Sequence, residues 1–296
     1  MTSLIQVHGW RHLEVSSLWP PDGTLKSKLL AELGTIPDVI LFWESYRLCH
    51  AYLPELIQLP GRKCIFLEDL HMRNEQDRLA RRDLLLHFDT ILASCEYLLD
   101  DFYPGVRARK ETAWVPHSAS PDFVMTCAEA PQNAILLSAA VTAHYPLRQR
   151  MKTLFQEKRF PIVYHEHPGY HCNFDYESSN DIGKAYAQMI NSCRASFVDS
   201  SVFGYVVAKY FEIPAAGSVL LADDAVWKPL EQLGFQAGVH YIGVSSRDLE
   251  DAIQYVLHAA NWPILDEMRR RAQQLVLTRH TTSDRARLID QVCRPV

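Results

Sequence analysis

The chain has 296 residues, a formal net charge of −5 and 48% hydrophobic residues, enough to bury about three quarters of its unfolded surface in one large domain or two ordinary ones. This composition excludes a disordered chain, and acids in excess of bases among only 22% charged residues give no electrostatic reason for a nucleic-acid partner, whose affinity rests on clustered Lys and Arg. No apolar run approaches the roughly 20 residues of a membrane-spanning helix.

The opening MTSLIQVHGWRH lacks the basic and apolar regions of a secretory leader, so a soluble, cytoplasmic protein is expected. Seven cysteines, at 49, 64, 95, 127, 172, 193 and 293, are odd in number and hold no Cys-x-x-Cys pair. They predict buried, reduced thiols rather than a disulfide framework or a zinc ribbon.

Short runs of Val, Ile, Leu and Phe alternate with helical stretches, the pattern of an α/β protein whose parallel sheets are covered on both faces. In chain order the expected elements are a helix over 24–33, strands over 39–43 and 64–67, a helix over 74–87, a strand over 90–94, a helix over 96–102 and a strand over 113–115. The second half continues with strand 134–138, helix 146–157, strand 162–164, helix 181–191, strand 195–198, helix 204–216, strands 219–222 and 241–244, and helices 246–259 and 263–277. The stretch HSASPDFVMTCAEAPQN (117–133) has neither period and reads as a linker. The expected organisation is therefore two Rossmann-like domains, 1–117 and 134–280, joined by 118–133, with a helix in 281–296 packing back on the first. Such halves place ligands in a cleft outside the carboxyl ends of their strands. Neither half contains Gly-x-Gly-x-x-Gly or a Walker A loop, which disfavours a dinucleotide oxidoreductase or a P-loop NTPase.

The segment 202–224, VFGYVVAKYFEIPAAGSVLLADD, reads as a helix from Gly204 to a glycine cap at Gly217, feeding a buried strand. Tyr205, Lys209, Glu212 and Ala216 recur at i, i+4, i+7 and i+11 and share a helix face. Taken alone, Lys209 and Glu212 read as an ordinary surface ion pair rather than as a site, and Pro214 is out of place so far into a helix.

FEIPAAGSVLLADD resembles the signature of GT-B glycosyltransferases, especially a subgroup similar to spore-maturation protein B. Further segments follow in that subgroup's order: ILLSAAVTAHYPLR (135–148), HPGY (167–170), AYAQMINSCRASF (185–197), HYIGVSSRDLEDAIQYVL (240–257) and RHTTSDRARLI (279–289). DVILFWES, CIFLEDLH and WVPHSASPDF in the first half resemble the family more weakly.

The resemblance implies transfer of a sugar from a UDP- or GDP-linked donor, held by the second domain, to the hydroxyl of an unidentified acceptor (glycan, small molecule, lipid or protein) held by the first. Glu212 would accept hydrogen bonds from the ribose diol. Lys209 and Arg148 would face the diphosphate, and the amides of Gly204 and Tyr205, at the start of the Lys209 helix, would add the positive end of its dipole. Ser138, His167 and Tyr170 complete the donor side. Preorganised donors of this kind stabilise a departing diphosphate without a metal or other cofactor. Gly204 stands where many retaining members carry a first glutamate, so the stereochemical outcome stays open, as does the oligomeric state.

On the acceptor side, FLEDLH (66–71) places Glu68, Asp69 and His71 past a strand. His71 is a candidate base with Asp69 fixing its tautomer, and Glu44 and Tyr46, with Trp43, form a candidate acceptor wall. YHEHPGYHC (164–172) supports an alternative, a metal-dependent hydrolase using His165, His167, His171 and Cys172. A non-catalytic nucleotide- or glycan-binding module is the other. The basic stretches EQDRLARRDLLLHF (75–88) and EMRRRAQQ (267–274) are expected to be solvated faces.

Overall fold

The computed structural model describes residues 2–18, 23–167, 169, 179 and 181–294. It divides into two compact units, 1–116 with 283–296, and 117–282.

In the first unit, α1 (Thr2–His8) and α2 (Leu25–Leu33) precede β1 (Val39–Trp43), and the short helices α3 (Tyr46–Ala51) and α4 (Leu53–Gln58) lead to β2 (Arg62–Leu67). Then follow α5 (Glu75–Leu85), β3 (Thr90–Ala93), α6 (Leu99–Phe102) and β4 (Glu111–Trp114). The strands form a parallel sheet in order β1-β2-β3-β4. Local chemistry sets the helix starts: Thr24 closes a capping box on α2, and the Asn74 side chain accepts from the Asp77 amide at 2.8 Å to cap α5.

The second unit runs β5 (Gln132–Ala139), α7 (Pro146–Gln156), β6 (Ile162–Glu166), α8 (Gly183–Ser192), β7 (Cys193–Val198), α9 (Lys209–Ala215), β8 (Val219–Asp223), α10 (Trp227–Gln232), β9 (Ile242–Val244), α11 (Leu249–Leu257) and α12 (Trp262–Arg279). Its five strands are parallel in order β6-β5-β7-β8-β9. Their inward residues, among them Ile135, Leu137, Phe197, Val219 and Leu221, pack with Met151, Ile253 and Leu265 into one core. The chain then returns: α13 (Thr282–Cys293) packs Ala286, Ile289 and Cys293 against Cys64, Phe66 and Leu92 of the first sheet.

Two expectations are corrected. The helix anticipated from Gly204 begins at Lys209, because Ser201 (φ 61°) and Gly204 (φ 73°) take left-handed backbone that no right-handed helix accommodates. The stretch 267–274 is not a wholly solvated face. Arg269 is 1% exposed and donates to the carbonyls of Gly217 at 2.8 Å and Ala128 at 2.7 Å, while Arg270 and Arg271 remain outside, paired to Asp266 and Glu267.

Gly217 ends the turn after α9 at φ 78°, and a Cβ there would sit 2.9 Å from the Cys127 sulfur. Gly217→Ala therefore combines a left-handed backbone with a clash, and a loss of about 1–3 kcal/mol is expected in urea unfolding; wild-type stability would refute it.

Candidate functional site

The order of the second sheet puts its topological switch point between β5 and β7, where the connections depart to opposite sides and open sheets bind ligands at the strands' carboxyl ends. The polar side chains of this unit collect there. Ser138, near the end of β5, has its hydroxyl 3.1 Å from His165 Nδ1. The other ring nitrogen lies 2.7 Å from Asp181 Oδ1, so both nitrogens of His165 are engaged. Past β7, the buried Asp199 forms an ion pair of 2.5 Å with Arg148 Nε, and the Arg148 guanidinium stacks 3.5 Å over the Tyr145 ring. Arg148 is thus charge-compensated within the fold. Burial pushes Asp199 up, and Arg148 opposes the shift.

Lys209, the first residue of α9, reaches across to donate to the Ser138 carbonyl. Its ammonium is 5.5 Å from the centre of the Tyr186 ring. Burial and then the charge of Arg148 lower its pKa to about 8, against the pull of Glu212 and Asp199. One turn on, Glu212 is half-buried and rises to about 7 through burial, with Lys209 opposing. Its carboxylate accepts no hydrogen bond among the described residues. An acceptor and a cation, both partly desolvated and three residues apart, can take a diol and an anion side by side.

His167 is half-buried, and its pKa falls through burial and the nearby charges of Lys209 and Arg148; its Nδ1 accepts from the Gly169 amide at 3.0 Å. Tyr170, His171 and Cys172 lie outside the described residues. Among the described residues no group of three or more His, Cys, Asp or Glu is placed to hold a metal ion.

The expected contribution of Gly204 and Tyr205 is corrected. Both precede the helix, and their amides donate to the carbonyls of Ser201 at 3.3 Å and Ser200 at 2.8 Å, so neither heads the helix dipole.

In the first unit the carboxyl ends of β1 and β2 converge on Glu44, a non-glycine residue at φ 50°. Its Oε1 accepts from the Glu68 amide, from the Asp69 amide at 3.3 Å and from the Tyr46 hydroxyl at 3.4 Å. Burial raises Glu44, with the amides and Arg81 opposing, and raises Tyr46 strongly. Arg81, expected on a solvated face, is instead buried beneath Tyr46, 3.4 Å from its ring centre. It donates to the Asp69 carbonyl at 2.8 Å and the Tyr103 hydroxyl at 3.3 Å. What the fold engages of Asp69 is its backbone, while its side chain is exposed and His71 is half-buried.

Sequence reasoning missed Arg81, Asp181, Asp199 and the Ser138–His165 contact. Acids interleaved around Arg81 disguised it, and the other partners are joined only by strand order.

The fold is that of GT-B glycosyltransferases. Sucrose-phosphate synthase of Thermosynechococcus elongatus superposes with a TM-score of 0.62 at 12% identity, over 90% of this chain and 75% of that one. A glycosyltransferase of Rickettsia africae gives 0.61 at 10%, over 91% and 80%. Anabaena HepE, solved with UDP and glucose, gives 0.60 at 10%, over 85% and 77%. Within this fold, residues 147–291 match the family model described as glycosyl transferase-like. A search of curated proteins gave no match. Among the described residues no helix is long and apolar enough to cross a membrane.

Proposed function

We propose that the chain is a glycosyltransferase that moves a sugar from a UDP-linked donor to an acceptor hydroxyl without a metal ion. The observation that carries this reading is the placement of Lys209 and Glu212 on the first turn of α9, at the switch point of a glycosyl transferase-like domain. Glu212 accepts the ribose hydroxyls, a carboxylate facing a diol. Lys209 faces the diphosphate, and as the bond from the anomeric carbon to the diphosphate breaks, its ammonium lies where negative charge grows. Arg148, held by Asp199, contributes fixed donors rather than net charge. Ser138 and His167 border the same space. The solved complex of HepE with UDP-glucose and that of the pneumococcal O-GlcNAc transferase GtfA with UDP support a uridine donor. On the acceptor side we assign Glu44 and Tyr46 to hold the acceptor, with His71 and Asp69 as candidates for proton removal. The subgroup similar to spore-maturation protein B belongs to this same reading.

Calorimetric titration with UDP and GDP tests the donor site: UDP binds, and Lys209→Ala reduces affinity at least about tenfold, the worth of one charge-assisted contact. Unchanged binding in that variant would remove Lys209 from the site. Binding without sugar transfer or slow donor hydrolysis would instead favour a non-catalytic module.

The two shifted groups also set a pH window. Binding needs Glu212 ionised and Lys209 protonated, so UDP affinity should peak between about pH 7, the Glu212 value, and about 8, the Lys209 value, falling on the acid side as Glu212 protonates and on the alkaline side as Lys209 loses its proton. At pH 9 binding should take up a proton, seen as a buffer-dependent heat. A flat profile from pH 6 to 9 would contradict the assignment.

A further inference from the structure

The first unit contains a cavity of about 440 Å³ that plays no part in the donor chemistry, walled by α2, the segment 9–14 and the whole of β1. The strand reads VILFW, a continuous apolar run of the kind that is covered on both faces in a parallel sheet. Yet only Phe42 is buried, and Val39, Ile40, Leu41 and Trp43 keep partial exposure, whereas β3 beyond β2 is buried throughout. β1 is the edge strand of its sheet, and every β1 residue lines the cavity, with Leu25, Leu29 and Leu33 of α2 among the other lining residues. Protein interiors leave few voids larger than a water molecule, and an apolar space of this size falls within the range of about 300–1,000 Å³ occupied by small ligands. Val39, Leu41 and Trp43 pack in part against the core under α13, and among the described residues the cavity side of the strand is left uncovered.

The rim carries an exposed guanidinium. Arg11 is exposed at the cavity wall, and among the described residues its guanidinium donates to the carbonyls of Leu33 at 3.1 Å and Glu32 at 3.2 Å. Beside it, His12 lies 3.5 Å from Glu14, and Arg294 is paired with Asp290 at 3.4 Å while covering the Trp10 ring. The positive charge of Arg11 is left without an acidic partner among the described residues.

We propose that this cavity binds the alkyl chain of a single-chain amphiphile whose anionic head, a carboxylate or a phosphate, is met by Arg11. The inference is independent of the transferase reading and survives its failure.

The test titrates the full chain with palmitate, hexadecyl phosphate and hexadecanol below their aggregation limits, following tryptophan emission, because Trp10 and Trp43 line the cavity, and the thermal midpoint. Saturable binding of one molecule per chain with a raised midpoint is expected. Val39→Trp and Leu33→Trp, which add bulk at half-buried wall positions, should weaken all three ligands at least about tenfold. Arg11→Glu should weaken the two anions at least about fivefold and spare hexadecanol, and the preferred anion identifies the head. Should the tryptophan variants fail to fold, a photoreactive palmitate on the wild-type chain must label peptides of β1 or α2. Absence of saturable binding, equal effects of Arg11→Glu on anions and alcohol, or labelling confined elsewhere would each overturn the proposal.

Discussion

Replacing Glu212 by Gln should make the protein more stable at pH 8 while weakening UDP binding by about 30-fold. The binding loss follows from exchanging a charged acceptor of two ribose hydroxyls for a neutral one, about 2 kcal/mol. The stability gain follows from the sign of the shift. Glu212 stands near 7 in the folded chain against an ordinary 4.5, so the unfolded state sheds its proton first, and folding stability falls as pH rises from about 4.5 through 7. Above that window the fold carries a carboxylate it disfavours. Lys209, lowered to about 8, behaves in the mirror sense: its protonated form costs stability below about pH 8. Gln removes the first cost but also the attraction that Glu212 exerts on Lys209, which leaves a net gain of about 1 kcal/mol, or some 2–4 °C for a chain of this size. Calorimetric melting at pH 8 and UDP titration of the same sample check both halves. A destabilised variant with intact binding would refute the assignment of Glu212.

Arg269→Met should cost about 3 kcal/mol in urea unfolding. The side chain is almost wholly buried, and its three directions of hydrogen bonding end on the Gly217 carbonyl, the Ala128 carbonyl and Asp266. Methionine matches the volume but strips donors from two backbone acceptors and a carboxylate, the circumstance in which breaking a buried ion pair is most damaging. The double change Arg269→Met with Asp266→Ala should lose less than the sum of the two singles, because one partner no longer strands the other. Full additivity would mean that the pair does not act as a unit. Since Ala128 belongs to the stretch ahead of β5 and Gly217 to the turn ahead of β8, Arg269 fixes both approaches to the donor-side sheet from one position on α12.

Strands were the most legible part of the chain. Each anticipated strand appears within two residues of its expected position, because an apolar run four or five residues long between turn signals has few other uses in an α/β protein. Helices carried by sequence period, such as α2, α7 and α12, were legible for the same reason. The short α3 and α4 were not, since one or two turns display no period. The start of α9 is not legible, because Gly204 reads as a helix origin whereas its left-handed backbone (φ 73°) keeps it out of the helix. Within the candidate site, Lys209 and Glu212 were legible as neighbours, since three residues along a helix fix their common face. Asp199 opposite Arg148, and Asp181 opposite His165, follow only from the strand order β6-β5-β7, which no local spacing displays. Arg81 and Arg269 show the same limit from another side: a charge run announces that a helix has a polar face, not which single arginine turns inward.

The return of α13 to the first sheet bears on how the protein is made. Trp10 Nε1 donates to Asp290 at 2.7 Å across 280 residues of chain, and Arg285 donates to the carbonyl of Pro116. During synthesis the four strands of the first sheet therefore emerge long before the helix that covers Cys64, Phe66 and Leu92, while the second unit is continuous in sequence and can close first. Of these two units the one translated first is completed last, and until then its apolar face is what a chaperone would meet.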